Sequence, residues 1–288
     1  MALPTEFAVL DRTGRQLAIA GDQGPYGDMD LSPDGKLIAV TKQDTGAPGA
    51  DIWVIDWQRA GVPSRLTMDS ADDINPVWSP DGKYVAFTSY RKGNADIYVI
   101  ENGSGVGKEV PLLETAGDEL VKDWSKDGKY IVYLTGQDNF RDIYALPMTN
   151  GKPAADKKPF PVVQGQFQKD EPQFSFDGKL LASKSRDGTI RVWNCMTWET
   201  VAVIPEPTYS GWFIRALRFH PAQPLLASAG SEPSTPEGER CRLIHLWKLD
   251  LDVLLGKCVG AAIGERAVHH TTGKIVLVGD HSVGKSSL

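Results

Sequence analysis

The chain has 288 residues, of which 41% are hydrophobic and 9% aromatic, and its formal net charge at pH 7 is −6. A nucleic-acid surface is not expected because Lys and Arg form no cluster, and no apolar run approaches the roughly 20 residues that a membrane helix requires. The three cysteines, Cys195, Cys241 and Cys258, have no C-x-x-C spacing, so we expect free thiols rather than a disulfide framework or a zinc site.

The first predicted elements are two short strands, residues 7–10 and 15–20, joined by turn residues at 11–14. They provide only half of a four-stranded unit. We therefore expect them to act as the third and fourth strands of a sheet whose first two strands come from elsewhere in the chain.

A four-stranded unit then repeats along the chain. Its Ser-x-Asp-Gly-Lys turn begins at Ser32, Ser79, Ser125 and Ser175, so the intervals are 47, 46 and 50 residues. Each turn precedes an extended segment (KLIAVT, KYVAFTS, KYIVYLT, KLLASKS) that reads as a half-buried strand, and third strands follow at 51–55, 96–100, 142–146 and 189–193. A period of this length with four strands and little helical pattern predicts β-propeller blades.

The repeat carries a family resemblance. Residues 75–89 (NPVWSPDGKYVAFTS), followed by DIYVI, resemble the repeats of TolB-like propellers, and the resemblance covers about residues 7–180. It implies six blades and a role as a binding platform or as a domain beside hydrolases and kinases. The chain has no G-x-S-x-G nucleophile elbow, so no hydrolase is expected.

The pattern changes near residue 181. Residues 181–194 and 214–247 resemble two WD40 blades, with Asp187-Gly188 at a turn and Trp193-Asn194 in place of Trp-Asp, and the resemblance covers about 181–259. The Gly-His pair that precedes each blade in that family is missing, which leaves open whether its hydrogen-bonded tetrad forms. Two propeller families in one chain suggest a recombined or engineered chimera.

The tail is predicted to close the ring. Residues 269–278 align with residues 174–183, so they supply the first two strands of a sixth blade, which the N-terminal strands complete. We therefore predict an all-β, six-bladed propeller of four-stranded antiparallel blades. Residues 1–288 form one domain: a TolB-like part (1–180), a WD40-like part (181–259), and closing strands with a truncated P-loop (260–288).

The same tail has a second interpretation. Residues 279–286 match G-x-x-x-x-G-K-[ST] after an apolar strand and resemble the start of a small GTPase. The resemblance implies that amides from Gly279 to Lys285 wrap phosphates, that Lys285 neutralises them and that Ser286 reaches magnesium. The sequence ends at Leu288, before a full helix or a Walker B acid, so we expect a truncated remnant.

The remaining signals are weaker. Acidic residues on inner strands could face a channel and bind a cation, although solvated carboxylates are the simpler interpretation: Asp28, Asp73, Glu119, Asp170 and Glu171. The loops 42–50, 151–158 and 232–240 could be contact surfaces or solvated insertions.

From these features we predict a non-enzymatic scaffold for protein or peptide interaction, or a chimera without a selected ligand. We expect no catalytic residue, metal or cofactor. We expect a monomer without a nucleic-acid or membrane partner. A cytoplasmic location is expected because the N-terminus lacks a basic start followed by an apolar segment. The alternative is a fragment of a WD40–GTPase fusion that binds nucleotide.

Overall fold

The structure is a computed structural model that describes residues 5–11, 13–59, 62–136, 141–165, 169–206, 216–231, 242–256 and 268–273. These residues divide into two compact units: 1–137 with 144–160, and 138–143 with 161–288. Strands dominate both units. The described helix, Leu251–Leu254, is a single turn, and no helix in this part of the chain is long and apolar enough to cross a membrane.

The strands form a two-stranded N-terminal hairpin and five larger antiparallel sheets, called blades 1 to 5 in chain order. The hairpin consists of β1 (Thr5–Leu10) and β2 (Gln16–Gly24). Blade 1 contains β3 (Tyr26–Leu31), β4 (Leu37–Lys42), β5 (Asp51–Asp56) and β6 (Pro63–Arg65). Blade 2 contains β7 (Asp73–Trp78), β8 (Tyr84–Ser89), β9 (Asp96–Glu101) and β10 (Val110–Leu113). Blade 3 contains β11 (Glu119–Trp124), β12 (Tyr130–Thr135), β13 (Asp142–Thr149), β14 (Lys152–Pro153) and β15 (Phe160–Val163). The strands of blades 4 and 5 are β16 (Lys169–Phe174), β17 (Leu180–Ser185), β18 (Thr189–Asn194), β19 (Thr200–Pro205); and β20 (Leu217–Phe219), β21 (Leu225–Ser231), β22 (Arg242–Leu249), β23 (Val268–Gly273).

The prediction of six blades is wrong, because the strands in the described parts of the chain form five blades. Residues 268–273, expected in part to begin a sixth blade, form β23, which pairs with β22 as the fourth strand of blade 5. The eight-residue β22 offers a long edge of backbone groups, and residues 268–273 supply the extended segment that pairs with it.

The predicted closure by N-terminal and C-terminal strands is wrong for the same reason. Within the described residues, β1 and β2 pair only with each other. The segment that would have supplied the second strand of the sixth blade, residues 275–278, lies outside the described part of the chain.

The second strand of blade 2 is buried on both faces, whereas the sequence predicted a half-buried strand. In β8, Val85 and Phe87 are fully buried in a core shared with blade 1, and Ala86 is fully buried in a core shared with blade 3. The alternation of large and small residues therefore sorts side chains between two apolar cores instead of between core and solvent.

The second unit has a core of its own. Leu180, Ile190 and Val192 of blade 4 pack with Leu217 and Leu226 of blade 5 in one buried cluster. In the first unit, Ala20 of the hairpin is buried with Ile38, Val40 and Ile55 of blade 1.

Candidate functional site

The Ser-x-Asp-Gly-Lys turn has the same geometry in blades 1 to 4. In blade 2, Ser79 donates its hydroxyl hydrogen to Asp81 Oδ1 at 2.7 Å, and the same oxygen accepts the Lys83 amide at 3.1 Å. Ser79 Oγ in turn accepts the Tyr84 amide at 2.9 Å. The glycine adopts a φ of 71°, in the left-handed region where a Cβ is disfavoured. All these contacts lie within six residues, so the sequence pattern alone builds the turn.

Turns of neighbouring blades touch one another in the first unit. A Cβ added to Gly82 would meet Pro33 at 3.7 Å, and one added to Gly128 would meet Pro80 at 3.6 Å. The proline of each turn therefore packs over the glycine of the next turn. This contact aligns three turns along one side of the unit.

Two clefts open beside these turns. The first has a volume of 400 Å³ and is lined by Ser79, Pro80, Asp81, Lys83, Tyr84, Trp124, Asp127, Gly128, Asn150 and Gly151. The second has a volume of 340 Å³ and is lined by Asp127, Gly128, Lys129, Tyr130, Pro147, Met148, Thr149, Asn150 and Lys157. Because Asp127, Gly128 and Asn150 line both clefts, we treat the clefts as one feature, the turn-face groove.

Charges at the groove are largely paired within the turns. Asp81 lies 3.6 Å from the Lys83 ammonium, and Asp127 lies 2.9 Å from the Lys129 ammonium. Burial alone raises the pKa of Asp127, but the bonds from Ser125 and Lys129 hold it below its usual range. Lys157 is exposed, and no ion pair among the described residues involves it.

The groove contains residues that no sequence motif indicated. Asn150 and Gly151 form the left-handed turn between β13 and β14, with φ angles of 52° and 75°. The Asn-Gly pair is a recognisable hairpin signal, but only the fold shows that it faces the turns of blades 2 and 3. Lys157 belongs to the loop that the sequence marked as a possible contact surface.

The acidic residues considered for a cation site are not brought together. Asp73 is fully buried and pairs with Arg91 at 3.1 Å, while Thr115 donates a 2.6 Å hydrogen bond to Glu119. Burial raises the pKa of both carboxyls. In the second unit, Glu171 pairs with Arg218 at 3.4 Å, and Asp170 is fully buried. The described residues contain no group of three or more His, Cys, Asp or Glu side chains that could hold a metal ion.

A buried polar network lies in the second unit. Lys184 Nζ is 2.7 Å from Glu206 Oε2, and Glu206 Oε1 lies 2.8 Å from His245 Nδ1 and accepts a hydrogen bond from Ser228. Trp247 Nε1 donates to Ser228 Oγ at 2.9 Å. Burial alone raises the pKa of Glu206, but Lys184 and these bonds hold it below its usual range. A Trp–Ser–acid–His chain thus forms without a Gly-His pair before the blade, and its depth indicates a stabilising role.

The predicted nucleotide-binding residues, Gly279, Gly284, Lys285 and Ser286, lie outside the described residues. Nucleotide binding through them therefore stays a prediction.

Comparison with known domain families identifies the repeat. The family described as "TolB beta propeller domain" matches residues 9–199, about two thirds of the chain. The chain belongs to the TolB beta propeller domain family. This TolB-type assignment confirms the predicted TolB-like resemblance and extends it beyond residue 180.

Individual TolB proteins are similar to parts of the chain. The Tol-Pal system protein TolB of Desulfosudis oleivorans is 49% identical over 37 residues, which is 13% of this chain and 8% of that protein. The match thus spans less than a tenth of that relative's length. Among solved structures, putative TolB from Agrobacterium tumefaciens is 20% identical with a TM-score of 0.58, covering 81% of this chain and 80% of that one. TolB from Acinetobacter baumannii is 18% identical with a TM-score of 0.60, covering 86% and 58%. These structures show likeness of fold.

Proposed function

We propose that this TolB-type propeller is a non-enzymatic platform for protein interaction and that its turn-face groove binds an extended segment of a partner protein. The groove carries the proposal. It combines two clefts of 400 and 340 Å³ with the half-buried rings of Tyr84 and Tyr130, and with polar groups from three turns. Aromatic-lined grooves of this kind suit extended peptides, because rings contact the side chains and turn groups contact the backbone.

Rigidity of the groove supports this function. Tyr130 packs edge-on against Phe160, with 6.2 Å between ring centroids, and the left-handed Gly151 lies beside the Tyr84 ring. Side chains that packing already holds in place lose little conformational entropy when a partner binds. The name of the Desulfosudis relative assigns it to the Tol-Pal system, and an interaction role for the present chain is consistent with that family.

The groove can be tested by filling it. Thr149 is exposed at the end of β13 and lines the second cleft, so Thr149→Trp should occupy the cleft without changing charge. Thr197 is an exposed threonine of the second unit and lines none of the described clefts, so Thr197→Trp is the matched control.

The assay is selection of phage-displayed random nonapeptides on the wild-type chain, followed by fluorescence polarisation with the enriched peptides. Thr149→Trp should weaken binding at least tenfold, about 1.4 kcal/mol, and Thr197→Trp should leave it unchanged. Equal binding by all three chains, or the absence of enriched peptides, would refute a peptide-binding groove.

Other features of the proposal stay predictions. They are the WD40-like nature of residues 181–259, the chimeric origin, the monomeric state, the lack of nucleic-acid, membrane and cofactor partners, and the cytoplasmic location.

The competing function is nucleotide binding through Gly279, Gly284, Lys285 and Ser286. It is supported by the match of residues 279–286 to a P-loop. Titration with a fluorescent guanine nucleotide and magnesium tests it, and tight binding that Lys285→Ala removes would favour it over the platform alone.

A further inference from the structure

We infer that the segment bound by the turn-face groove carries an acidic side chain, which pairs with Lys157 in the second cleft. This inference rests on the proposed function and specifies the chemistry of the ligand. It follows from the distribution of charge between the two clefts.

The two carboxylates of the groove are already satisfied. Asp81 Oδ1 accepts from Ser79 and from the Lys83 amide, and its other oxygen faces the Lys83 ammonium. Asp127 is held in the same way by Ser125 and Lys129. Their hydrogen bonds and cations lower the pKa of both carboxyls despite partial burial, so each turn presents a neutral Asp–Lys pair at neutral pH.

Lys157 is the charged residue of the groove that belongs to neither Asp–Lys pair. It lines the second cleft but not the first, and among the described groove residues it is the cation outside a turn pair. Asp156 and Lys158 flank it on the same exposed loop, and their charges offset each other. The second cleft thus has an excess of positive charge, to which a carboxylate on the ligand is complementary.

The aromatic residues define where the rest of the segment lies. Tyr84 and Tyr130 follow the lysine of two consecutive turns, so the repeat places one ring in each cleft. Trp124 borders the first cleft from the core, where it is 2% exposed, so the two tyrosines are the accessible rings. A segment lying across both rings would contact apolar walls along its length and place its acidic residue at the Lys157 end.

Charge reversal tests the inference. The probe is a synthetic nonapeptide enriched on the wild-type chain, compared with a copy in which each Asp or Glu is replaced by Asn or Gln. The variants are Lys157→Glu and, as a control of equal charge change, Lys108→Glu. Lys108 is an exposed lysine of the first unit that lines neither cleft.

The enriched peptides should carry an acidic residue. Lys157→Glu should weaken their binding about fivefold in low salt, and Lys108→Glu should change it less than twofold. The neutral peptide should bind the wild type and Lys157→Glu equally.

Enriched peptides without an acidic bias, or equal effects of the two reversals, would overturn the inference. If such peptides still lost affinity with Thr149→Trp, the groove would remain a peptide site and only the acidic preference would be wrong. If no peptide depended on Thr149, the proposed function itself would be refuted.

Discussion

Lys184 is the most informative position for the energetics of the second unit. Its side chain is 1% exposed and faces Glu206, whose side chain is fully buried. The substitution Lys184→Met keeps the apolar stem but removes the ammonium. It leaves the Glu206 carboxylate with Ser228 and His245, and it removes the hydrogen bond from Lys184 to the Ala229 carbonyl.

The expected loss of unfolding free energy is about 3 kcal/mol at neutral pH. Removing one partner of a buried ion pair costs roughly 3–5 kcal/mol, and the two remaining hydrogen-bond partners place Lys184→Met at the lower end of that range. By contrast, Lys179 is 53% exposed and pairs with Asp177 at 3.3 Å. Lys179→Met should therefore cost less than about 1 kcal/mol.

The loss should depend on pH with a defined sign. In the wild type the pKa of Glu206 is held below its usual value, so its stabilising contribution is present above the unfolded-state pKa and falls as pH drops through the folded-state value. In Lys184→Met, burial is no longer opposed by the ammonium and raises that pKa. The carboxyl then takes up a proton at a higher pH than in the wild type, and the difference in stability from the wild type narrows as the pH falls.

Urea unfolding followed by tryptophan fluorescence, at about pH 7.5 and about pH 5, measures both effects. A loss below about 1 kcal/mol, or a loss that is the same at the two pH values, would show that Lys184 does not compensate the charge of Glu206.

Three further comparisons test the local geometry. Trp124→Phe removes a buried indole N–H that has no partner in the described structure, whereas Trp247→Phe breaks the hydrogen bond to Ser228. Trp124→Phe should therefore lower the free energy of unfolding by about 1–3 kcal/mol less than Trp247→Phe does. Urea unfolding of both variants measures the difference. Gly82→Ala places a Cβ on a residue with a φ of 71°, where the nearest contact is an ordinary one, 3.7 Å from Pro33. The free energy of unfolding should therefore fall by about 1–2 kcal/mol through backbone strain alone. An unchanged urea midpoint would contradict this account. Asp127→Asn keeps the acceptor for Ser125 and Lys129 and loses only an exposed ion pair, so its thermal midpoint should stay near the wild type, while Asp127→Ala should lose about 1–2 kcal/mol.

Features that depend on residues close together in the chain follow from local sequence patterns. Each Ser-x-Asp-Gly-Lys turn is closed by bonds between residues at most five apart, so its four occurrences could be read from the pattern. The strands that follow were predicted for the same reason, since alternation and turn residues are local signals.

Tertiary structure decided which edges pair and which faces are buried. The extended residues near 270 could join a new sheet or an existing one. They pair with β22 as the fourth strand of blade 5, so they do not begin a sixth blade. Burial of β8 on both faces likewise depends on blades 1 and 3.

The candidate site belongs to the second group of features. Lys157 lies 30 residues beyond Asp127 in sequence, yet both line one cleft, and Glu206 meets His245 across 39 residues. A turn forms because its hydrogen bonds are within reach of a few residues of chain. A groove forms only when segments distant in sequence pack together, within one blade or between neighbouring blades, and no local pattern specifies which side chains that packing brings together.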